Sequence, residues 1–219
     1  MRTAVVILFL TFTFNCQIVA QQLFLLSGQS NAVGQGDSLK SVVCLPNTAF
    51  EFDAEINDFI PLKDPVGKAW KLFQRSGTGS AAPAFAKQLN QLTGQKIYMF
   101  TSTRGGASCS KKAEMADYDT WDTSGKLFDL AVEKTRMAEK IAGMPLSGII
   151  WMQGERDANA ILAGQMTGNG YQEALEDLIQ RFRNEFGRKL PGLYHSNGLS
   201  TGQSPGGLRC CEECTGLSG

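Results

Sequence analysis

The sequence predicts an α/β fold in which helices pack on a parallel β-sheet. Three short apolar runs, at residues 23–26, 97–100 and 148–150, each lead into a polar loop that contains glycine, and they predict buried strands. Amphipathic segments that begin near residues 80, 127 and 171 predict helices. Because strands and helices alternate along the chain, the strands are expected to lie parallel in one sheet.

The first predicted strand ends at Gly28, and Ser30 follows it in a predicted loop. A serine beside glycine at the carboxyl end of a buried strand is a position where a nucleophile can be exposed to substrate. Ala32 occupies the place of the second glycine in a G-x-S-x-G motif, so the match is incomplete. The alternative interpretation is that this segment is simply a turn.

The other two strands end in similar loops. Gly105-Gly106-Ala107-Ser108 follows the second strand, and Trp151-Met152-Gln153-Gly154-Glu155-Arg156-Asp157 continues the third. The carboxyl ends of parallel strands share one edge of the sheet, where ligands bind. The three loops are therefore expected to meet around one crevice. Ser108 is a second candidate nucleophile.

The helices are bounded by residues that favour helix ends. Pro83 suits a first turn, and the buried face of this helix is predicted to include Phe85, Leu89 and Leu92. Gly94, Gly143 and Gly187 are predicted to terminate the three helices. Residues 158–170 are predicted to form a loop, and residues 50–53 and 59–62 to form short strands or a border of the site. Trp70 and Phe73 are predicted to fill the core or to form aromatic walls of the site.

Gly28-Gln29-Ser30-Asn31, the glycine pair and Trp151-x-Gln153-Gly154-Glu155-x-Asp157 together resemble the SGNH hydrolases, in the branch of carbohydrate acetylesterases and sialate O-acetylesterase-like proteins. The resemblance runs from about residue 22 to about residue 190. It implies a three-layer α/β/α sandwich with a parallel sheet, of the SGNH or flavodoxin-like type. It also implies an esterase that hydrolyses O-acetyl esters on carbohydrates.

The resemblance also implies roles for individual residues. Ser30 is the expected catalytic nucleophile, and an N–H of Gly105 or Gly106 and the side-chain amide of Gln153 are expected to stabilise the oxyanion. Glu155 is expected to support catalysis by orienting a histidine or binding a sugar hydroxyl. The alternative for Glu155 is an ion pair with Arg156 or Arg104. No cofactor is implied.

The Asp-x-x-His block that supplies the base in this family has no counterpart in the chain. His195 is the single histidine, and Gly192 stands three residues before it, so His195 is not expected to be the base. Residues 192–219 are rich in glycine, serine and cysteine and are predicted to be a disordered tail, which leaves the domain without its last strand and helix. Lower stability is then expected, and a non-catalytic carbohydrate-binding protein or a truncated gene product are the alternatives to an esterase.

Composition excludes several classes of protein. The chain has 219 residues, and Lys+Arg and Asp+Glu number 21 each, so nucleic acid is not an expected partner. Residues 1–20 are predicted to be a secretory signal peptide, because the apolar run is shorter than the ~20 residues that span a membrane. The esterase domain is predicted at residues 21–191, in a secreted protein that carries no membrane anchor after cleavage.

Cysteines are the last candidate for a site or a cross-link. Cys44 and Cys109 are a candidate disulfide pair. Cys210, Cys211 and Cys214 are not accompanied by a histidine or a second cysteine pair, so no metal site is predicted.

Overall fold

The computed structural model describes residues 20–187, 189–195 and 209–210. The predicted signal peptide, apart from Ala20, and most of the predicted tail lie outside these residues. The sheet contains β1 (Gln21–Gly28), β2 (Ala49–Asp53), β3 (Asp58–Pro61), β4 (Lys96–Thr103), β5 (Leu146–Met152), β6 (Gly192–His195) and β7 (Arg209–Cys210). The helices are α1 (Ser30–Val33), α2 (Ala82–Thr93), α3 (Leu127–Ala142), α4 (Glu155–Leu162) and α5 (Gly168–Phe186).

The strands form one sheet in the order β3-β2-β4-β1-β5-β6-β7. The five inner strands, from β2 across to β6, are parallel, and β1 lies at their centre between β4 and β5. Only the outer strands β3 and β7 pair antiparallel with their neighbours among the described residues. The predicted parallel sheet is therefore confirmed, with antiparallel strands added at its edges.

Helices cover both faces of this sheet. In β1, Leu23 and Leu25 belong to the core that contains residues of α3 and α5, whereas Phe24 and Leu26 belong to the core that contains residues of α2. Because successive side chains of a strand point to opposite faces, a strand covered on both sides is apolar throughout. This explains the continuous apolar run, and it confirms the three-layer sandwich.

Helix ends follow the predicted glycines closely. Gly94 and Gly143 adopt left-handed backbone conformations immediately after α2 and α3, and Gly187 follows α5. The predicted buried face of α2 is partly wrong, because Leu92 is 74% exposed and the fully buried positions are Ala82, Pro83 and Ala86. Small residues let α2 lie close to the sheet.

The predicted loop at residues 158–170 is wrong at both ends, because α4 occupies Glu155–Leu162 and α5 begins at Gly168. Ala160 of α4 packs in a small core with Ala113 and Met166. Its neighbour Asp157 is fully buried. Contacts with distant segments therefore stabilise a helix that its glycine-rich surroundings did not indicate.

The segment between α1 and α2 contributes the β2–β3 hairpin, which confirms the predicted short strands. Phe73 is buried and its ring stacks on those of Trp70 and Trp121, at centroid distances of 6.2 and 6.1 Å. Phe73 and Trp121 are thus core residues, and Trp70 is half-buried beside them.

The sheet continues into the stretch predicted to be a disordered tail. Residues Gly192–His195 pair in parallel with β5, and His195 is in register with Met152. Residues Arg209–Cys210 pair with this strand in turn. The rest of the predicted tail lies outside the described residues.

Candidate functional site

The three loops predicted to form a site begin at the same level of the sheet. Gly28, the last residue of β1, is in register with Thr103 of β4 and with Met152 of β5. Ser30 and Gly105 follow the ends of their strands by two residues, and Gln153 follows by one. Ser30, the glycine pair and the Gln153 loop therefore share one edge of the sheet.

Ser30 begins the single-turn helix α1 and does not lie in an irregular loop as predicted. The turn is closed by bonds from the Val33 N–H to the Gln29 carbonyl at 2.9 Å and from the Gly34 N–H to the Ser30 carbonyl at 3.1 Å. The first N–H groups of a helix have no acceptor within it, so the Ser30 N–H makes no hydrogen bond inside α1. Ser30 is half-buried, and a ligand can reach it.

The side chain of Gln29 fastens the β1 loop to the β5 loop. Its Oε1 accepts hydrogen bonds from the N–H groups of Gly154 at 3.3 Å and Arg156 at 3.2 Å, and its backbone N–H donates to the Met152 carbonyl at 3.0 Å. Gln29 is only 4% exposed. It was not among the predicted site residues, because its hydrogen-bond partners lie about 125 positions away in the chain and no local pattern indicates them.

Glu155 lies at the start of α4 and contacts the same loop. One carboxylate oxygen of Glu155 accepts a hydrogen bond from the Asn31 side-chain amide. Asn31 follows Ser30 directly, so Glu155 holds the residue next to the candidate nucleophile. The two arginines named as its alternative partners donate to backbone carbonyls, Arg156 to Ala113 and Arg104 to Leu72 and Asp117.

Gln153 connects the β5 loop to the β4 loop. Its side-chain amide donates to the Asp157 carboxylate and, at 3.4 Å, to the Ala107 carbonyl. Asp157 also accepts from the N–H groups of Cys109 at 2.9 Å and Ser110 at 3.1 Å. Burial raises the pKa of Asp157, although these donors oppose the shift. Gln153 is 1% exposed, so its first role in this structure is to join two loops.

The two glycines of the β4 loop differ in their hydrogen bonding. The Gly105 N–H donates to the Gln74 side-chain oxygen at 2.8 Å. Among the described residues, no acceptor is found for the Gly106 N–H. Gly106 has φ +77°, and a Cβ atom there would lie 2.8 Å from the Tyr118 ring. Of the pair, Gly106 is therefore the one whose N–H is free to bind a substrate oxygen.

Ser108, the second candidate nucleophile, is fully buried. Its carbonyl accepts from the Trp121 N–H at 2.9 Å and from the Thr120 hydroxyl at 3.1 Å. A substrate cannot reach this hydroxyl, so the structure leaves Ser30 as the accessible serine of the two.

The predicted bridge between Cys44 and Cys109 is wrong, since both are free thiols. Cys44 packs against the core on the α2 side of the sheet, and Cys109 belongs to the core on the α3 and α5 side. The sheet separates them. Burial raises the pKa of both thiols, that of Cys109 well above its ordinary value.

A pair of buried charges lies behind the site. The Lys134 ammonium on α3 donates to the Thr101 carbonyl of β4 at 2.7 Å, and the Glu51 carboxylate on β2 accepts from the Gly67 N–H. Burial lowers the pKa of Lys134 to about 8 and raises the pKa of Glu51 to about 7. Each charge opposes the pKa shift of the other, as expected of two opposite charges that are both removed from water.

This pair is connected to α1 through one loop. Next to Gly67, the Val66 carbonyl accepts from the Ser76 N–H at 2.8 Å, and the Ser76 hydroxyl donates to the Gly34 carbonyl at 3.2 Å. Gly34 is the residue at which α1 ends. The interior charges therefore support the helix that carries Ser30.

A groove of about 530 Å³ opens beside α1. It begins at Asn31 and Met152 and runs between residues 35–42 and the start of α2. Within the described part of the chain, no group of three His, Cys, Asp or Glu side chains is arranged to hold a metal ion. None of the described helices is long and apolar enough to span a membrane.

Comparisons with known proteins relate the chain to a family and to solved structures. A sequence profile of the family described as "carbohydrate esterase, sialic acid-specific acetylesterase" matches residues 20–200. No curated protein sequence matches the chain. Among solved structures, the chain is similar to a protein from Arabidopsis thaliana, at 20% identity, with a TM-score of 0.56 and coverage of 78% of this chain and 71% of that one.

A second similar structure is NanS, at 19% identity and a TM-score of 0.57, with coverage of 80% of this chain and 66% of that one. A carbohydrate acetylesterase from Xanthomonas citri is also similar, at 20% identity over 78% of this chain and 40% of that one, with a TM-score of 0.38. The first two similarities establish a common fold.

Proposed function

The chain belongs to the carbohydrate esterase family of sialic acid-specific acetylesterases, and from this we propose that it hydrolyses O-acetyl esters of carbohydrates with Ser30 as the nucleophile. The observation that carries the proposal is the common level at which β1, β4 and β5 end, with Gly28 in register with Thr103 and Met152. This register brings a reachable hydroxyl to the same edge as the Gly106 loop.

The reaction has two steps. The Ser30 oxygen attacks the carbonyl carbon of the acetyl ester while a base accepts its proton, and the carbonyl oxygen becomes an oxyanion. The sugar hydroxyl then leaves with that proton, and an acetyl–serine ester remains. Water attacks this ester in the same way, which releases acetate and restores Ser30.

The oxyanion is proposed to bind the N–H groups of Ser30 and Gly106. Neither has an acceptor among the described residues, so both can donate to the developing charge. The Gln153 side-chain amide is proposed to be the third donor to the oxyanion. It would give up its hydrogen bond to the Ala107 carbonyl, which at 3.4 Å is weak and easily exchanged. Glu155 acts by holding Asn31 beside the nucleophile.

The base is the part of the family pattern for which the sequence shows no Asp-x-x-His counterpart. Serine is a poor nucleophile without a proton acceptor. His195 is the single histidine of the chain, and its backbone is in register with Met152 at the same edge. Contrary to the expectation from the sequence, we therefore propose His195 as the residue to test for this role.

Hydrolysis of p-nitrophenyl acetate by the purified chain tests the proposal. Ser30→Ala and His195→Gln are each expected to lower the rate by about 10³-fold or more, as removal of a triad member does in serine hydrolases. Ser108→Ala, at the buried serine, is the control for loss of a hydroxyl. A rate unchanged by Ser30→Ala would contradict the esterase proposal.

A non-catalytic carbohydrate-binding protein is the second candidate function. The absence of an Asp-x-x-His block favours it, because binding needs the crevice but no base. In that case the chain binds acetylated sugars with equal affinity before and after Ser30→Ala, and neither form releases acetate. Secretion, expected from residues 1–20, belongs to either proposal and is tested by sequencing the amino terminus of the exported protein.

A further inference from the structure

Asp157 is the last residue of the Trp-x-Gln-Gly-Glu-x-Asp stretch, and the reaction proposed above gives it no role. It lies in α4, four residues after Gln153, and is 0% exposed. Its carboxylate accepts hydrogen bonds from the Cys109 N–H at 2.9 Å, the Ser110 N–H at 3.1 Å and the Gln153 side-chain amide. The backbone of the β4 loop therefore holds this carboxylate in place as an acceptor for Gln153.

The orientation of the Gln153 amide is decided at its nitrogen end. Nε2 faces two acceptors, the Asp157 carboxylate and, at 3.4 Å, the Ala107 carbonyl. In the described part of the chain, the oxygen end of the same amide is buried and has no hydrogen-bond donor. The two ends are similar in size, but only the NH₂ group donates hydrogen bonds. A rotation of 180° would bring Oε1 against the carboxylate, with two acceptors facing each other away from water.

The bond to Asp157 is the stronger of the two bonds that hold this amide. A hydrogen bond to an ionised carboxylate is roughly twice as strong as one between neutral groups. The bond to the Ala107 carbonyl is long, at 3.4 Å. When the oxyanion replaces the Ala107 carbonyl as acceptor for one N–H, the other N–H remains on Asp157. The orientation of the Gln153 amide is therefore kept through the exchange.

We propose that Asp157 is a positioning residue for the esterase reaction, which holds the Gln153 amide so that an N–H, and not the carbonyl oxygen, points at the oxyanion. The inference rests on the proposed function and on the place of Gln153 among the oxyanion donors. Asp157 acts through Gln153 and not by contact with the ester. Because the oxyanion forms only during the reaction, loss of this orientation lowers kcat and leaves KM almost unchanged.

A double-mutant cycle on the hydrolysis of p-nitrophenyl acetate tests whether Asp157 acts through Gln153. Gln153→Ala removes one oxyanion donor and is expected to lower kcat by roughly 10²–10³-fold. Asp157→Asn is expected to lower kcat by about tenfold or more, with KM within about twofold of the parent. In the Gln153→Ala background, Asp157→Asn is expected to change kcat by less than about twofold. Asp129→Asn, at an exposed position of α3, removes the same charge and should leave kcat unchanged.

A purely structural role of Asp157 gives a different result in this cycle. If Asp157 only holds the β4 loop together, Asp157→Asn lowers kcat by the same factor whether residue 153 is glutamine or alanine. Such multiplying losses would overturn the inference. An unchanged kcat in Asp157→Asn, or a loss that appears in KM alone, would overturn it as well.

The orientation of the amide is also measurable in the parent chain by NMR. Gln153 Nε2 and the Cys109 N–H donate to the same oxygen, Oδ2 of Asp157. Each hydrogen then lies about 2 Å from that oxygen, so the two hydrogens are at most about 4 Å apart. A nuclear Overhauser cross-peak between them is expected, and Gln153→Ala identifies the side-chain signal by its loss. Absence of the cross-peak would overturn the inference, even if Asp157→Asn does not fold.

Failure of this inference is distinct from failure of the esterase proposal. The esterase proposal fails if Ser30→Ala leaves the hydrolysis of p-nitrophenyl acetate unchanged. A chain with Ser30-dependent hydrolysis, in which the losses from Gln153→Ala and Asp157→Asn multiply, would retain the esterase and refute the positioning role of Asp157.

Discussion

The carbonyl oxygen of Met152 lies 2.1 Å from the position that a Cβ atom on Gly28 would occupy. Gly28 also has φ +133°, a conformation that residues with a side chain rarely adopt. The ends of β1 and β5 can approach this closely only because residue 28 has no side chain. That approach brings Ser30 to the level of the Gln153 loop.

Gly28→Ala is expected to lower the free energy of unfolding by about 2–5 kcal/mol, from the clash and the backbone strain together. Urea denaturation measures the loss. Gly164→Ala is the matched control, because Gly164 has φ +69° but no atom within 4 Å of the place where a Cβ atom would lie. In this control the free energy of unfolding is expected to fall only by the cost of the backbone strain, about 1–2 kcal/mol. Equal losses in the two variants would show that the contact with Met152 costs nothing.

Asp157→Asn is expected to loosen the loop after β4. An asparagine amide would present a donor where the carboxylate accepts from Cys109, Ser110 and Gln153, so the loss is expected to be about 2–3 kcal/mol. Hydrogen exchange at the Cys109 and Ser110 amides should become faster in the variant. Asp177→Asn, on the exposed face of α5, should leave both measurements unchanged.

Lys134→Met removes the ammonium and leaves the Glu51 carboxylate buried without it. Loss of the hydrogen bond from this ammonium to the Thr101 carbonyl, together with its attraction to Glu51, is expected to destabilise the chain by about 1–3 kcal/mol. The double variant with Glu51→Gln should lose clearly less than the sum of the single losses, because the isolated charge is gone. Additive losses in urea melts would contradict a coupled pair. Lys140→Met, exposed on the same helix, is the control.

Glu51 gives stability a defined dependence on pH. Burial raises its pKa from the ordinary 4.5 to about 7, so the folded chain binds a proton between these values that the unfolded chain has released. Stability from this group is present below pH 4.5 and is lost as the pH rises through about 7.

Glu51→Gln removes that dependence, so the stability of the variant relative to the parent should increase as the pH is raised from about 4.5 to about 7.5. Urea midpoints at several pH values test this, and Glu133→Gln, at an exposed position of α3, should show no such trend. A constant difference between Glu51→Gln and the parent across the range would refute the assignment.

Local sequence patterns were sufficient to predict most of the strands and helices. The apolar run at residues 23–26 indicated a buried strand, and the glycines at 94, 143 and 187 marked helix ends. The α4 helix was not predicted, because Asn159 and the glycines at 164, 168 and 170 are typical of loops. Burial of Ala160 and the bonds of Asp157 to Cys109 and Ser110 stabilise it, and those bonds join residues 48 and 47 positions apart in the chain.

The sequence alone determined the fold class, the three loops and the candidate residues Ser30, Gly105, Gly106, Gln153 and Glu155, because strand and helix periodicity and glycine positions are local properties. Only the tertiary structure decided how these residues are used. It showed that the Gly105 N–H is taken by Gln74, that Gln153 bonds to Asp157, that Ser108 is buried, and that Cys44 and Cys109 lie on opposite sides of the sheet. Hydrogen-bond partners and burial depend on segments far apart in the chain, so no local pattern records them.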